Sequence, residues 1–578
     1  MENVRLAIGE EEVREALAEL RKYKEGKAQL ERKIIENEQW YKLRHWECMR
    51  HGDEELRPVS GWLFNSIAGK HADAMDNLPA PTVLPREEGD RGEAELLTQI
   101  LPVILEQNDF EQLYSDLWDY KLKTGTGVYG IFWDATAQHG MGEVALRRVD
   151  VLNLFWEPGV RDIADSANLF HVELVDDRVL EATYPQLVGK LGARDGIVAQ
   201  YVYDDRVDVT GKSAVIDWYY KRPTPTGHVL HYAKIVGDTL LFASENEGER
   251  YEKGWYEHGE YPFVFDTLYR AEGTPCGFGF IDVAKDAQGF IDRGNQAVLK
   301  NMLSGASPRY FVKESGGVSE EEFADLSRDL IHVTGNVSEE HIRPVETKPL
   351  AQVYLRLIED KITELKEVTG NRDVSTGGTA GGVTAASAIA AMQEAGSKLS
   401  RDNNRASHRA FRRLCLQVIA LMRQFYTLPR CFRVLGADGA ERFLSYTADG
   451  LRARHQGAPF GVDLGVRVPL FDVSVSAQKA SPYSRLSQNE LALQFFSAGF
   501  FDPAHAEQAL ACLDMMDFEG KHGVMRRIEH ARDAHLAGAA SIGREALSRA
   551  ARGLEMPQRE DAGVKKARER VANATSPT

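Results

Sequence analysis

Three glycines, Gly125, Gly127 and Gly130, have the spacing G-x-G-x-x-G that cradles dinucleotide phosphates in many enzymes. Such a loop follows a buried strand and opens a helix, so that the helix N-terminus faces the phosphates. Here the helical pattern FEQLYSDLWDYKLK precedes the glycines and the strand-like run YGIFWD follows them. The sequence therefore predicts a turn from helix to strand and no nucleotide site.

A second glycine-rich stretch, GNRDVSTGGTAGGVTAASAIAAMQEAGSKL, occupies residues 370–399. The phosphate loop of an NTPase would need a Gly-Lys-Ser/Thr sequence and a preceding strand. Neither is present, because the apolar residues before this stretch recur at helical spacing, at Leu355, Ile358, Ile362 and Leu365. The stretch therefore connects two helices, either as a plain surface connection or as a segment with a role of its own.

No set of histidines, acidic residues or nucleophiles has the spacing of a catalytic or metal site. The sixteen histidines form no His-Glu-x-x-His pair. His530 and His535 are five residues apart, a spacing that does not place two ligands on one helix face. The pairs Asp176-Asp177 and Asp204-Asp205 occur in turn-like sequences where carboxylates face water. A Gly-x-Ser-x-Gly elbow is absent. We expect no catalytic residue, no metal, no cofactor and no enzymatic activity.

The composition is that of a large folded protein: 578 residues, 43% hydrophobic and 27% charged, with a formal net charge of -17. The length is enough for several domains, and the acidity argues against a protein that coats nucleic acid. Five cysteines without a Cys-x-x-Cys pair favour a reducing cytoplasm. The N-terminal segment lacks the apolar core of a signal peptide, and no apolar run has the length of a membrane span. We expect a soluble, non-secreted protein without a membrane partner.

Helical patterns dominate the first 123 residues, and strand patterns dominate the next 140 or so. Helices are predicted at 10–49, within 61–78 and within 91–123, with Trp40, Tyr41 and Trp46 on a buried face. Residues 128–269 contain short β-rich runs and one inserted helix at 178–191. The sequence therefore predicts an α+β fold.

Long helices dominate the second half. The first has small and apolar residues on one face, including Ala287, Ile291 and Gly294, which permits a close helix neighbour. The stretch 396–409 is polar nearly all round, so we expect the long helix to bend there or to face something outside its own core. The short strands at 431–436 and 441–446 are predicted to form a hairpin.

Three runs of sequence carry a resemblance to a known family. They are LIEDKITELKEVTGNRDVSTGGTAGGVTAASAIAAMQEAGSKLSRD, PFVFDTLYRAEGTPCGFGFIDVAKDAQGFIDRGNQAVLKNM and SPYSRLSQNELALQFF. With these runs and the order of its elements, the chain resembles the portal, or head-to-tail connector, proteins of tailed bacteriophages. The resemblance extends from about Tyr261 to the helix after Ser484, and the N-terminal third agrees only in its pattern of elements.

The resemblance implies a ring, typically of twelve subunits, at one capsid vertex, through which double-stranded DNA is packaged and ejected. It implies an α+β chain with an α/β wing, a two-helix stem, a small α/β clip, a tunnel loop and a helical crown. On this chain the wing corresponds to 1–280 and 428–482, the stem to 281–303 and 351–369, the clip to 304–350, the tunnel loop to 370–383, the long channel helix to 384–427, the crown to 483–552 and a flexible tail to 553–578.

The tunnel loop is implied to lie at the narrowest point of the channel. Glycines give a loop around moving DNA a backbone freedom that other residues lack. Hydroxyl groups can contact phosphates without holding them by charge, and the charge of Arg372 is partly offset by Asp373. The implied channel residues are Asn371, Arg372, Asp373, Val374, Ser375, Thr376, Gly377, Gly378, Thr379, Gly381 and Gly382.

The implied clip is acidic: residues 309–350 contain five Lys/Arg against nine Asp/Glu, a net charge of -4. In a ring this charge would form a rim that steers a basic docking surface, although an ordinary solvated helix face has the same composition. The implied partners are the terminase large subunit, the neck adaptor, and the major capsid and scaffolding proteins, in the virion and, during assembly, in the host cytoplasm. The implied docking residues are Glu320, Glu321, Glu322, Asp325, Glu339 and Glu340.

Two other classes of function remain open at this point. An enzyme with a dispersed active site would bring together titrating groups that are distant in sequence. A virion scaffold or adaptor that forms no ring would account for the long helices. It would not explain why a glycine-rich connection and a polar mid-helix stretch are adjacent.

Overall fold

The computed structural model shows an α+β protein. Two compact units, Met1–Lys479 and Ala480–Thr578, are distinguished by their internal contacts. The structure describes residues 7–52, 56–191, 210–225, 227–248, 250–306, 310–312, 319, 321, 334, 342–344, 352–370, 398–435, 441–455, 466–479, 492–515 and 521–551.

The helices agree with the helical patterns of the sequence in position, although not always in length. Each predicted helical region that is described contains a helix, and a further short helical segment is present at 492–497. The helices are α1 (Glu10–Tyr41), α2 (His45–Cys48), α3 (Trp62–Met75), α4 (Arg91–Gln107), α5 (Phe110–Thr124), α6 (Ala137–Gly140), α7 (Asp177–Thr183), α8 (Phe280–Ala306), α9 (Gln352–Val368), α10 (Lys398–Phe425), α11 (Ala506–Asp514) and α12 (Lys521–Ala551).

Most of the described strands of the first unit lie between Thr126 and Val312. They are β1 (Asn77–Pro85), β2 (Thr126–Asp134), β3 (Glu143–Val149), β4 (Leu154–Trp156), β5 (Asn168–Asp176), β6 (Lys212–Thr224), β7 (Gly227–Val236), β8 (Thr239–Ala243), β9 (Phe263–Thr267), β10 (Tyr269–Arg270), β11 (Gly277–Phe278), β12 (Tyr310–Val312), β13 (Ile342–Pro344), β14 (Arg430–Leu435), β15 (Glu441–Tyr446), β16 (Arg454–His455), β17 (Val466–Arg467) and β18 (Phe471–Lys479).

All strand pairs in the described residues are antiparallel. Strands β4 to β8 form a five-stranded meander in sequence order, and β2 lies between β3 and β9 in a second sheet. Strand β1 pairs with β18 along its whole length, from Asn77 opposite Lys479 to Pro85 opposite Phe471. This pairing places residues 77–85 beside the last strand of the first unit. The predicted hairpin of β14 and β15 is confirmed, and its turn lies outside the described residues.

The main core lies where α4, α5 and α10 pack around the sheet that contains β2. Trp118, Tyr114 and Phe411 are fully buried there. Trp40 and Trp46, which the sequence placed on a buried face, are buried in the same cluster. A second cluster packs α1 against the five-stranded meander, and a third holds α11 and α12 together within the second unit.

The predicted helix at 178–191 is shorter than expected. Helix α7 ends at Thr183, and residues 185–187 form a single 3₁₀ turn that begins at Pro185. Proline lacks an amide hydrogen and disfavours the helical conformation of the residue before it, so the α-helix ends here. The long helix predicted for 384–427 is described from Lys398 onward.

Candidate functional site

Helices α8 and α9 form a closely packed antiparallel pair. The Lys361 ammonium lies 5.7 Å from the centre of the Phe290 ring, and one turn further along α8 Gly294 faces Ile358. A Cβ atom on Gly294 would lie 2.8 Å from Cγ1 of Ile358, which is closer than carbon atoms approach. The missing side chain therefore sets the separation of the two helices. The prediction that this face permits a close helix neighbour is confirmed at Gly294.

The first half of α8 is fixed to the body by a buried polar network around Asp292, which is fully buried. The His45 ring lies between two oxygen atoms, with Nδ1 at hydrogen-bond distance from the Asp292 carboxylate and Nε2 3.0 Å from the Trp40 carbonyl. The Ser60 hydroxyl donates to Oδ1 of Asp292 at 2.8 Å, and the Gln288 amide donates to the same oxygen at 3.0 Å. A buried carboxylate with this many donors is well satisfied and holds its neighbours in place.

The far end of the pair exposes apolar side chains. On α9 every residue from 352 to 357 is exposed, and Val353, Tyr354, Leu355 and Leu357 keep 41–64% of their surface accessible. On α8 Met302 and Leu303 are exposed at the same end. Exposed apolar patches of this kind are typical of surfaces that contact another protein.

At its other end, α9 is held by Lys70 of α3, which is buried. The Lys70 ammonium donates to the Gly370 carbonyl at 3.3 Å and to the Ser400 hydroxyl at 3.0 Å, and it lies 3.5 Å from Asp73 Oδ2. The Ser400 hydroxyl in turn donates to Asp73 at 3.1 Å. One side chain thus joins the last residue before the segment 371–397 to the first turn after it.

A second buried network corrects an expectation about the polar stretch 396–409. The Lys121 ammonium lies 2.6 Å from both Asp266 Oδ1 and the Ser407 hydroxyl, which donates to Asp266 Oδ2 at 2.7 Å. Burial lowers the pKa of Lys121, and the adjacent Asp266 carboxylate opposes that shift. Ser407, Asn403 and Asn404 are buried within the chain itself, so the expectation that this stretch faces something outside its own core is wrong for them.

The residues predicted to act on DNA and on docking partners fall mainly on segments that the structure does not describe. The whole set from Asn371 to Gly382 lies outside the described residues, as do Glu320, Glu322, Asp325, Glu339 and Glu340. Glu321 is described and exposed. Of the insert between α8 and α9, strands β12 and β13 are described and pair with each other.

Gly125 and Gly127 of the G-x-G-x-x-G match have structural roles. Gly125 ends α5 in the left-handed conformation, at φ = 91°, and a Cβ there would lie 2.4 Å from the backbone of Phe278. A Cβ on Gly127 would lie 2.5 Å from Leu117. Strand β2 begins at the next residue after Gly125, so the predicted helix-to-strand turn is confirmed.

The sequence alone could not identify Lys70, Asp292 and Lys121 as the centres of buried polar networks. Their partners lie far away along the chain: Lys70 contacts residues 300 and 330 positions later, and Lys121 contacts Ser407 286 positions later. Among the described residues, no cluster of histidine, cysteine or acidic side chains is arranged to hold a metal ion. In the same part of the chain, no helix has both the length and the apolar character needed to cross a bilayer.

An exposed apolar end on a helix pair that is anchored in an α+β body favours a protein that assembles with other protein subunits. The phage P22-like portal protein family matches residues 72–574, so the chain belongs to this family and functions as a phage portal protein. The match includes most of the N-terminal third, where the resemblance in sequence was limited to the pattern of elements. The family is one of structural proteins of the virion, which form oligomeric rings at a capsid vertex and have capsid, DNA and terminase as partners. No curated protein matches the chain.

Proposed function

We propose that this chain forms a closed ring of twelve subunits, in which the apolar far end of the α8 and α9 pair packs against the neighbouring subunit. The observation that carries the proposal is the exposure of Val353, Tyr354, Leu355 and Leu357 on a pair whose other end is buried. A ring needs a heterologous interface, in which one face of a subunit meets a different face of the next. Residues 281–303 and 351–369 are then the stem of the ring.

In this proposal the insert 304–350 is the clip that docks the terminase large subunit during packaging and the neck adaptor afterwards. Its net charge of -4 per subunit and the exposed Glu321 support an acidic rim that attracts a basic partner. The regions 1–280 and 428–482 are the wing, and 483–552 are the crown. The major capsid and scaffolding proteins surround the ring at the capsid vertex.

Residues 370–383 are proposed as the tunnel loop around the moving DNA, with 384–427 as the helix that follows it. The fixed ends of the segment support this role, because Lys70 holds both Gly370 and Ser400 against α3. Gly377, Gly378, Gly381 and Gly382 allow the loop to change shape while Gly370 and Ser400 stay held. The hydroxyl groups of Ser375, Thr376 and Thr379 offer contacts to phosphates that do not hold the DNA by charge.

A DNA packaging assay, run beside imaging of the mutant rings, tests the proposal. Deletion of residues 374–382 should leave ring formation nearly intact, because the packing faces at Leu355–Leu365 and Phe411–Phe425 are untouched. Packaging or retention of DNA should fail. Gly377→Pro with Gly381→Pro should act similarly, because proline removes backbone freedom at unchanged length and charge.

Arg372→Glu is the matched mild variant, and it should reduce packaging only slightly because Asp373 already offsets the arginine. Well-formed rings that package and retain DNA normally after the deletion would mean that the segment is a passive connection between helices.

A further inference from the structure

The ribbon formed by β1 and β18 has two outer edges that differ in their backbone groups. In an antiparallel ribbon, pairs of residues that bond to each other alternate with pairs whose N–H and C=O groups point outward. The Arg86 amide donates to the Leu470 carbonyl at 3.3 Å, at the position that continues the register of the ribbon. Counted from that bond, the residues with outward backbone groups are Pro85, Val83, Pro81 and Pro79 on β1, and Phe471, Val473, Val475 and Ala477 on β18.

The sequence of β1 closes its outer edge. Pro79, Pro81 and Pro85 have no N–H to offer to a further strand. The remaining outward amide, that of Val83, donates to the Thr98 hydroxyl of α4 at 2.9 Å. Prolines and covering helices are two of the means by which natural sheets prevent further strand pairing.

The outer edge of β18 has neither of these features. Its four outward residues are not proline, and in the part of the chain that the structure describes the ribbon has no third strand. The backbone groups of these residues likewise have no backbone partner among the described residues. Since β18 is nine residues long, this edge, called here the open edge, offers a row of unpaired groups to another strand.

Strand β15 is a second strand with an unpaired side. The hairpin of β14 and β15 is two-stranded within the described residues. It is attached to α4, because the Tyr446 hydroxyl donates to the Glu93 carboxylate at 2.6 Å. Hydrogen bonds thus connect β18, β1, α4 and the hairpin in that order, so the open edge and β15 belong to two different surfaces of the first unit. A heterologous interface is made from two different surfaces of one chain.

Exposed apolar side chains beside both strands favour their pairing. Phe443 of β15 keeps 68% of its surface accessible, and Leu470 and Val468, just before β18, keep 52% and 40%. By alternation, Leu470 lies on the solvent-facing side of β18 together with the exposed Ser474. Neighbouring strands pack their side chains face to face on each side of a sheet. Strand β15 beside β18, with Phe443 on the solvent side, would cover apolar surface on both chains.

We propose that the open edge of one subunit pairs with β15 of the next subunit, so that main-chain hydrogen bonds join neighbours around the ring. In a closed ring each copy gives one strand and receives one, so no open edge remains to cause aggregation. A strand from a different protein would leave β15 and its exposed Phe443 uncovered. This inference rests on the proposed function, because the ring supplies the second copy.

The first test is hydrogen-deuterium exchange of the full-length protein, compared between closed rings and unassembled subunits obtained by dilution. In the rings, the amides of Val473 and Val475 should exchange at least about tenfold more slowly, because they gain a hydrogen-bond partner. A peptide that contains Glu441–Tyr446 should gain protection in the same comparison. Equal exchange of the β18 peptide in rings and in subunits overturns the pairing, whether the amides are protected in both or in neither. Protection of β18 without protection of β15 overturns β15 as the partner strand.

The second test is Val475→Pro, with Val475→Ala as its matched control. Both changes remove the valine side chain, but only proline removes the outward amide, which β1 does not use. Prolines already occupy outward positions of β1, so we expect both variants to fold, as checked by circular dichroism. The concentration for half-assembly, measured by light scattering, should be about tenfold higher for the proline variant than for the alanine variant.

Equal half-assembly concentrations in two folded variants would contradict the inference. The exchange measurement uses the unmodified protein, so it decides the question even where the proline variant does not fold. Absence of rings in the unmodified protein at every concentration contradicts the proposed function and the pairing together. Closed rings whose β18 amides exchange as in free subunits contradict the pairing alone.

Discussion

At the scale of single residues, Lys70 joins the two ends of the segment 371–397. Lys70→Met keeps the length of the side chain and removes the ammonium group that donates to the Gly370 carbonyl and the Ser400 hydroxyl. Both oxygen atoms then lose one hydrogen bond. Loss of such buried hydrogen bonds costs about 1–3 kcal/mol in the free energy of unfolding. We also expect faster trypsin cleavage after Arg372 in the folded protein, because Gly370 is no longer held.

The matched control for Lys70 is Lys253→Met, because Lys253 forms a solvent-exposed pair with Glu257 and such pairs contribute little. Urea unfolding measures the stability of both variants, and limited proteolysis measures the accessibility of Arg372. Equal cleavage rates in the two variants would show that Lys70 does not hold the end of the segment.

His258 makes the stability of the body sensitive to acid. Burial lowers its pKa from 6.5 to about 4, with Glu260 opposing, and Nδ1 accepts a hydrogen bond from the Glu260 amide at 3.0 Å. The folded protein therefore keeps the ring neutral, while the unfolded chain binds a proton below its ordinary pKa. Stability is present above pH 6.5 and is lost as the pH falls towards 4, by about 1–2 kcal/mol after allowance for partial exposure.

Denaturant unfolding at a series of pH values checks this direction. His258→Asn keeps an acceptor near Nδ1 but cannot take up a proton, so its stability should fall less between pH 6.5 and 4. His139→Asn is the control, because His139 is exposed and adopts a left-handed conformation that asparagine tolerates. An unchanged pH profile in the His258 variant would exclude this histidine as the source.

At the scale of elements, the contact between α8 and α9 depends on Gly294. Gly294→Leu forces side-chain atoms into the space that Ile358 occupies, and overpacking of this kind costs about 1–3 kcal/mol. Gly305→Leu on the same helix is the control, because no atom lies within 4 Å of the position of its Cβ. We expect a lower urea midpoint of unfolding for the Gly294 variant only. Equal midpoints in the two variants would mean that the close contact at Gly294 does not contribute to stability.

The elements themselves were largely predictable, because each helix shows its own apolar period. Helices α8, α9 and α10 appear where the sequence places helical patterns, and strand β2 follows Gly125 as expected. The failures have local and distant causes. Pro185 ends α7 early because proline lacks an amide hydrogen. The prediction of a longer helix followed the apolar periodicity and did not apply this local rule.

The partners of buried polar residues could not be predicted. Ser407 and Asn403 look like exposed residues in the sequence, because serine and asparagine are common on helix surfaces. They are buried because Lys121 and Asp266, from α5 and β9, reach α10 in the folded chain. No pattern within a single segment reports a contact between three distant segments.

At the scale of the whole molecule, the proposed ring closure depends on the exposed apolar end of the α8 and α9 pair. A heterologous interface closes wherever its rotation allows, so the purified protein is expected to show one ring size or a few neighbouring sizes. Val353→Glu with Leu357→Glu replaces two exposed apolar side chains without disturbing the core, because neither is buried. This variant should fold normally and fail to close rings, as judged by circular dichroism and light scattering.

The most direct test of the account is negative-stain electron microscopy of the purified full-length protein, with light scattering across a range of concentrations. The account predicts closed rings with an open centre, and a mass in solution that is a multiple of the 64.5 kDa chain. A strictly monomeric species at every concentration, in images and in scattering alike, would contradict it and would favour a scaffold or adaptor that forms no ring.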